Sequence, residues 1–240
     1  MSNVSKRVKY RQPRLGLLLT ILVGLWLPAV VHAQSPIPQR RPLVEVRTEV
    51  GNMIIALYNE TPQHRDHFLA LVEAGAYDSL LFHRVVPGFA AEGGDPESKH
   101  AERGTVLGQD TDPQGLPAVI VPGLIHKKGA LAAAPAGDTP DLAKLGHRTR
   151  FFFVQGVQYG AEELAQVAER NTRLGSPFAY TEADKETYKS TGGLPRLDGS
   201  YTVFGEVIDG LDVLDALSRV PCDQWDRPLK DIRMFMRQLK

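Results

Sequence analysis

The stretch Leu81-Phe82-His83-Arg84-Val85-Val86-Pro87-Gly88-Phe89-Ala90-Ala91-Glu92-Gly93-Gly94-Asp95-Pro96 decides how this chain is read. One arginine stands among apolar residues, followed by a Pro-Gly turn, an aromatic residue and a Gly-Gly pair. Successive side chains of a strand point to opposite faces. An alternation of Leu81, His83 and Val85 against Phe82, Arg84 and Val86 therefore gives Arg84 one defined face. A guanidinium fixed beside Phe89 can donate hydrogen bonds to a substrate amide without any cofactor. Taken by itself, a lone arginine on a strand is more often a solvated edge charge.

Upstream of this stretch, the first residues do not read as part of a fold. Lys6, Arg7, Lys9, Arg11 and Arg14 form a basic segment, and Leu15 to Val31 is almost wholly apolar. Val31-His32-Ala33 then presents small residues at the positions a signal peptidase reads. Residues 1–33 are expected to be a signal peptide cleaved between Ala33 and Gln34, which places the protein in the periplasm or outside the cell. The alternative is a retained membrane anchor, because the apolar run approaches the length that spans a bilayer. Residues 34–42 carry Pro36, Pro38 and Pro42 and read as an extended linker. One domain with a single core follows, residues 43–240, with an insertion at about 157–192.

Removing five basic residues from a balanced total leaves 23 basic against 28 acidic residues, a net charge of −5. A mildly acidic chain with no basic run offers nucleic acid no electrostatic footprint. Cys222 is the single cysteine, so no intrachain disulfide forms and no multi-thiolate metal site exists. The seven histidines show no ligand spacing beside a carboxylate. His64 and His67 read as a surface face of a helix. No metal and no cofactor are expected.

Along the domain, Leu43 to Arg47 and Met53 to Tyr58 read as a β-hairpin turning at Gly51-Asn52. Thr61-Pro62 reads as an N-cap with Pro in the first helical turn, and Gly75 ends that helix. Glu97 to Gly115 is polar and reads as a loop, and Val119 to Ile125 is a short strand candidate interrupted by Pro122-Gly123. Residues 129–137 are alanine-rich. Small side chains there leave backbone open to a ligand, or simply pack closely. Arg150 to Gln155, with Phe151, Phe152, Phe153 and Val154, reads as a buried strand. Ala161 to Arg170 has helical spacing, and the rest of the insertion is polar. Tyr201 to Val207 reads as a strand, Leu211 to Leu217 as a packing helix, and Asp231 to Leu239 as a half-buried closing strand. Short strands with two helices and no β-α-β alternation argue for an antiparallel barrel or sandwich.

The opening stretch resembles the FHR-x-x-x-G-F-x-x-Q-G-G-D motif of the cyclophilins, the peptidyl-prolyl cis-trans isomerases. Further likeness lies in Thr61-Pro62 with Phe68-Leu69-Ala70-Leu71, Lys128-Gly129-Ala130-Leu131 with Ala134-Pro135-Ala136-Gly137, Phe151-Phe152, and Leu197-Asp198-Gly199-Ser200-Tyr201-Thr202-Val203-Phe204-Gly205. The resemblance runs from Val44 to about Arg237. It implies a closed eight-stranded antiparallel β-barrel capped by two α-helices, with a substrate groove on the outer face.

By the same resemblance Arg84 is the catalytic residue. Phe89, Phe152, Leu197 and Tyr201 line the pocket for a substrate proline, and Ala134, Pro135 and Ala136 offer backbone to the peptide before it. Ala90 stands where the family usually has Met, and Glu92 and Arg150 stand where it usually has two Gln. These three also fall in the substrate site. Pro135 replaces an Asn whose backbone N–H can bond substrate, and proline has none. Arg196 takes the place of an aromatic wall residue. The implied activity is isomerisation of X-Pro bonds in exported proteins, by a monomer acting on proline-containing polypeptides away from the membrane. The alternative is a catalytically weak module that binds Pro-containing segments of a partner.

Overall fold

The computed structural model describes residues 40–240. The expected signal peptide, its cleavage site and most of the linker lie outside the described residues. Strands β1 (Leu43–Thr48) and β2 (Gly51–Leu57) form the first hairpin. Its turn is Glu49-Val50, two residues earlier than the Gly51-Asn52 reading, because Thr48 pairs with Gly51. The Thr48 hydroxyl fixes this turn by accepting from the Val50 N–H at 3.1 Å. Helix α1 (Pro62–Glu73) has Pro62 in its first turn, and Gly75 follows it at φ 64°. Thr61 holds the N-cap position without a side-chain cap bond.

Strands β3 (Phe82–Val86) and β4 (Ala90–Gly93) form the second hairpin. The two-residue β5 (Leu116–Pro117), then β6 (Ala130–Pro135) and β7 (Leu145–Val154), follow. Two helices occupy the insertion, α2 (Ala161–Arg173) and α3 (Glu182–Ser190). Strand β8 (Val203–Asp209), helix α4 (Leu211–Leu217) and β9 (Phe235–Leu239) complete the chain. The sheet runs β3-β4-β7-β6-β8-β2-β1-β9, all antiparallel, with β5 beside β7.

The two ends of that order meet. Leu81 and Arg233 form an isolated antiparallel bridge. Phe82 N–H donates to Ile232 O at 2.9 Å, and Met234 N–H donates to Leu80 O at 2.8 Å. The eight-stranded barrel is therefore joined by a short seam rather than a full ladder. The described residues hold four helices: α1 and α4 beside the barrel, α2 where Ala161–Arg170 has helical spacing, and α3, which the sequence reading did not single out. The acidic first turns of α2 and α3 favour those helices through the helix dipole.

Inside the barrel, Val44, Val46, Met53, Ile55, Phe82, Val85, Phe151, Phe153 and Met234 pack together. Helix α1 seals one side with Phe68, whose ring meets Phe151 edge-on at 5.7 Å. Helix α4 adds Leu214 and Leu217. His64 belongs to the buried side of α1, 4 % exposed, contrary to the surface reading. Among the described residues, neither of its ring nitrogens finds a hydrogen-bond partner. Helical spacing alone does not separate a buried His from an exposed one when both neighbours are polar.

The Val119–Ile125 candidate is not a strand. Gly123 sits at φ 84° and Leu124 N–H closes a turn onto Val121 O at 3.1 Å, so the segment bends before it can pair. The alanine-rich run is a central strand instead. β6 lies between β7 and β8 with Ala130, Ala132 and Ala134 buried in a second, outer cluster with Phe152 and Val154. There the alanines pack closely, and β7 begins five residues before the Arg150 reading.

Candidate active site

A cavity of about 300 Å3 opens where β3, β4 and β7 present their outer face to the 107–111 loop and the 197–201 segment. Arg84, Phe89, Ala90, Glu92, Pro135, Arg150, Phe152, Leu197 and Tyr201 line it together. Ala134 and Ala136, also predicted from sequence, are fully buried and do not line it.

Arg84 reaches this face through an irregularity. Phe82 pairs with Gly93 and Arg84 with Glu92, so His83 is an extra residue on β3. Such a bulge bends the strand and re-aims its side chains. Phe82 and Val85 both enter the core, while His83 and Arg84 both turn towards Glu92. The strict alternation expected from the sequence therefore breaks at His83. Burial pushes the His83 imidazole down to about 4, so it is neutral near pH 7.

The Pro87-Gly88 turn places the aromatic partner. Phe89 N–H donates to Val86 O at 3.0 Å with Gly88 at φ 70°, a conformation that favours glycine. Gln155 then locks the turn, since its Oε1 accepts from Gly88 N–H at 2.6 Å. The Arg84 guanidinium lies 5.6 Å from the centre of the Phe89 ring.

Glu92 stands between two arginines. Its carboxylate is 3.8 Å from Arg84 Nη1 and 3.5 Å from Arg150 Nη1. Asp226 lies 3.6 Å from Arg84 Nη2. Arg150 is 6 % exposed, and its two Nη groups donate to Gly108 O at 2.7 Å, Asp110 O at 2.9 Å and Pro135 O at 3.4 Å, while Nε lies 3.3 Å from Asp110 Oδ1. Burial pushes the Glu92 carboxyl above its ordinary value, against the pull of Arg150 and Arg84. The Gly-Gly-Asp end of the motif supports the same group. A Cβ on Gly94 would stand 2.2 Å from Thr149 O, which excludes any other residue. Asp95 is buried and accepts from Gly108 N–H at 2.6 Å, so it holds the loop that carries the acceptors of Arg150.

The opposite wall is apolar and hydrogen-bonded from behind. Phe152 stacks on His126 at 6.0 Å between ring centres, inclined by 11°. His126 Nδ1 pairs with buried Asp198 at 2.7 Å, and His126 N–H donates to the same carboxylate at 2.9 Å. Two tyrosines of the insertion complete the shell of Asp198. Tyr188 Oη donates at 2.5 Å and Tyr180 Oη at 2.9 Å. Burial and Asp198 push both phenols up, so they stay protonated donors. Asn171 of α2 donates to Pro195 O at 2.9 Å. The Pro195–Leu197 turn, which delivers Leu197 to the cavity, is thus tied to α2 and α3. Arg196 at its centre lies 4.7 Å from the face of Phe89.

Sequence reasoning missed several lining residues, namely His83, Leu107, Gly108, Gln109, Asp110, Thr111, Gly137 and Asp138. Most belong to the 97–115 segment, read only as a loop. Asp95 at the end of the motif was the available signal, since Asp ahead of a polar stretch commonly bonds backbone N–H groups further on. The insertion was read as polar, yet Tyr188 is fully buried. Among the described residues, no group of three or more His, Cys, Asp or Glu is arranged to hold a metal ion.

Comparison with known proteins agrees with this geometry. The family model described as "Cyclophilin type peptidyl-prolyl cis-trans isomerase/CLD" matches residues 43–237. A protein of Streptococcus pyogenes named "Putative bifunctional phosphatase/peptidyl-prolyl cis-trans isomerase" is 30 % identical over 196 residues, 80 % of this chain and 37 % of that protein. The chain therefore spans little more than a third of that relative. A "Putative peptidyl-prolyl cis-trans isomerase" of Staphylococcus saprophyticus is 28 % identical over 78 % of this chain and 86 % of its own length. A crystal structure of a cyclophilin type isomerase from Cryptosporidium parvum superposes with a TM-score of 0.58 at 22 % identity, covering 83 % of this chain and 98 % of that one. A second structure of that protein, in the presence of the dipeptide Ala-Pro, gives 0.54 at 24 % identity over 81 % and 96 %. The chain belongs to the cyclophilin-type peptidyl-prolyl cis-trans isomerase family.

Proposed function

We propose that this chain catalyses rotation about X-Pro peptide bonds through Arg84, and that its substrates are exported proteins passing through the compartment to which residues 1–33 direct it. The observation that carries the catalytic reading is the position of Arg84. It is the half-exposed cation at the mouth of a cavity walled by Phe89, Phe152, Leu197 and Tyr201.

The barrier to rotation, about 18–20 kcal/mol, is the loss of amide resonance as the bond twists. The prolyl nitrogen then becomes pyramidal and regains its lone pair. A donor aimed at that nitrogen binds the twisted state better than either planar state, which is the condition for catalysis. Arg84 keeps its charge at any physiological pH and its fork is planar and rigid. Glu92 and Asp226 flank it at ion-pair distance and limit where the fork can point. The pocket takes the pyrrolidine ring on aromatic and aliphatic surface. No bond is made or broken, so the mechanism calls on neither nucleophile nor cofactor. The Ala-Pro dipeptide used with the Cryptosporidium structure supports proline-containing peptides as ligands.

The second reading, a binding module with weak catalysis, rests on Pro135. It has no N–H to give, and its carbonyl faces Arg150 Nη2 at 3.4 Å. A peptide lying along β6 thus finds fewer backbone partners there. A protease-coupled assay on the processed protein separates the two. Wild type should accelerate cis-to-trans conversion of an X-Pro peptide, and Arg84→Ala should lower kcat/KM roughly tenfold or more, about 1.4 kcal/mol of barrier. A wild type that binds the peptide without accelerating it would favour the module.

A further inference from the structure

A second cavity of about 230 Å3 lies on the other side of Arg84. It shares His83, Arg84, Leu107 and Gln109 with the first, so the two are contiguous across the guanidinium. Its outer wall is the 223–227 turn, with Trp225 61 % exposed, and Val106, 49 % exposed, also lines it.

This tryptophan is not on a loose loop. Asp223 Oδ1 accepts from the backbone N–H groups of Trp225 at 2.8 Å and Arg227 at 3.1 Å. Asp223 N–H donates to Arg227 O at 2.8 Å, and Cys222 pairs with Pro228. Asp226 is a non-glycine residue at φ 62°, and its carbonyl accepts from Val85 N–H at 2.8 Å, one residue from Arg84. The ring is therefore presented from a turn bonded to the catalytic strand.

The charges around the cavity are unequal. Arg227 is buried and spent on Glu102 O, Thr105 O and Asp231. Arg84 is shared between Glu92 and Asp226. The carboxylates of Asp223 and Asp226 face the same space, with Gln109 and Gln224 beside them. Their field reaches Cys222 nearby, whose thiol is pushed up by burial and then by Asp226 and Asp223.

We propose that this second cavity is a subsite for a lysine or arginine side chain of the substrate, on a residue flanking the isomerised proline. The apolar stem lies along Val106 and Leu107, the cation lies over the Trp225 face and beside Asp226, and the proline remains in the first cavity. An aromatic face and a carboxylate together favour a cation with a long aliphatic stem. The inference rests on the isomerase reading, since Arg84 is the point both cavities share.

The test uses two series of proline tetrapeptides with the full processed protein. One varies the residue before proline and the other the residue after it, each through Lys, Leu and Glu. In one of the two series the Lys peptide should show kcat/KM about fivefold above the Glu peptide, with the difference shrinking at high salt. Trp225→Ala should abolish that preference while keeping activity on the Leu peptide. Equal kcat/KM for Lys and Glu in both series, or a preference that survives Trp225→Ala, would overturn the subsite. If no peptide is isomerised, the isomerase reading fails. The subsite is then read from the Trp225 indole N–H resonance, which should move on titration with a Lys-Pro peptide and not with its Glu counterpart. Its failure to move would overturn the subsite as well.

Discussion

The two walls of the groove are built on opposite principles. The wall of Arg84 and Glu92 is ionic and opens to solvent at Arg84, on strands the opening motif specifies, with buried Arg150 of β7 behind it. The wall of Phe152, Leu197 and Tyr201 is apolar, and a buried carboxylate behind it is held by groups from the insertion. Charges near solvent can be altered at modest cost. A buried carboxylate stripped of its donors, or donors stripped of their carboxylate, costs far more. The first wall should therefore govern catalysis and tolerate change, and the second should govern stability and the shape of the pocket.

The largest expected effect follows on the second wall. Asp198→Leu leaves the donors of His126 and Tyr188 buried without an acceptor and Tyr180 with Pro195 O alone, and should cost about 3 kcal/mol or more. Urea unfolding reads this directly. A loss below about 1 kcal/mol would mean that the insertion does not brace the pocket.

Acid stability is the next effect, shared by two buried histidines, His64 behind α1 and His83 on the first wall. Burial pushes His64 from its ordinary 6.5 down to about 4. The unfolded chain therefore binds a proton that the folded one refuses between those values. Stability is complete above about pH 6.5 and falls as pH drops towards 4, by up to roughly 1.4 kcal/mol per pH unit for this one group. His64→Leu should reduce the fall in Tm over that window, leaving the part due to His83, and an unchanged profile would remove His64 as a cause.

A smaller effect probes the first wall. Glu92→Gln and Arg150→Gln should show a coupling energy of about 0.5–1.5 kcal/mol in kcat/KM, with the double variant milder than Glu92→Gln alone. Strict additivity would mean that the 3.5 Å approach of the two groups has no energetic content. The smallest effect is that of Tyr188→Phe, which removes one of four donors to Asp198 and should cost about 1 kcal/mol. It should act on KM more than on kcat, because the pocket and not Arg84 is loosened.

This division also explains what the sequence made legible. The first wall was readable because its residues lie within sixteen consecutive positions, joined by turn chemistry at Pro87-Gly88 and by Gly94, which backbone crowding requires. Its partner Arg150 was identified through the family resemblance, although no local signal predicts that it meets Glu92. The bulge at His83 was invisible, since a period-two pattern with one extra residue looks like a regular strand. The second wall was not readable. Asp198 gathers donors from His126, Tyr180 and Tyr188, separated by up to 72 positions. Nothing in a polar helix such as α3 announces that one tyrosine will be fully buried. The barrel itself was legible from alternation and from the resemblance, while β6 was not, because a run of alanines has no strand propensity of its own.

The central claim is that Arg84 lowers the barrier while the aromatic pocket supplies the binding. Exchange NMR on an X-Pro peptide measures both in one sample. With wild type, cis-trans exchange cross-peaks should appear within seconds, far faster than the tens to hundreds of seconds of the free peptide. With Arg84→Lys, which keeps the charge and loses the fork, the peptide should still bind with little change in Kd, and the exchange peaks should weaken about tenfold or vanish. Exchange as fast with Arg84→Lys as with wild type would contradict the account.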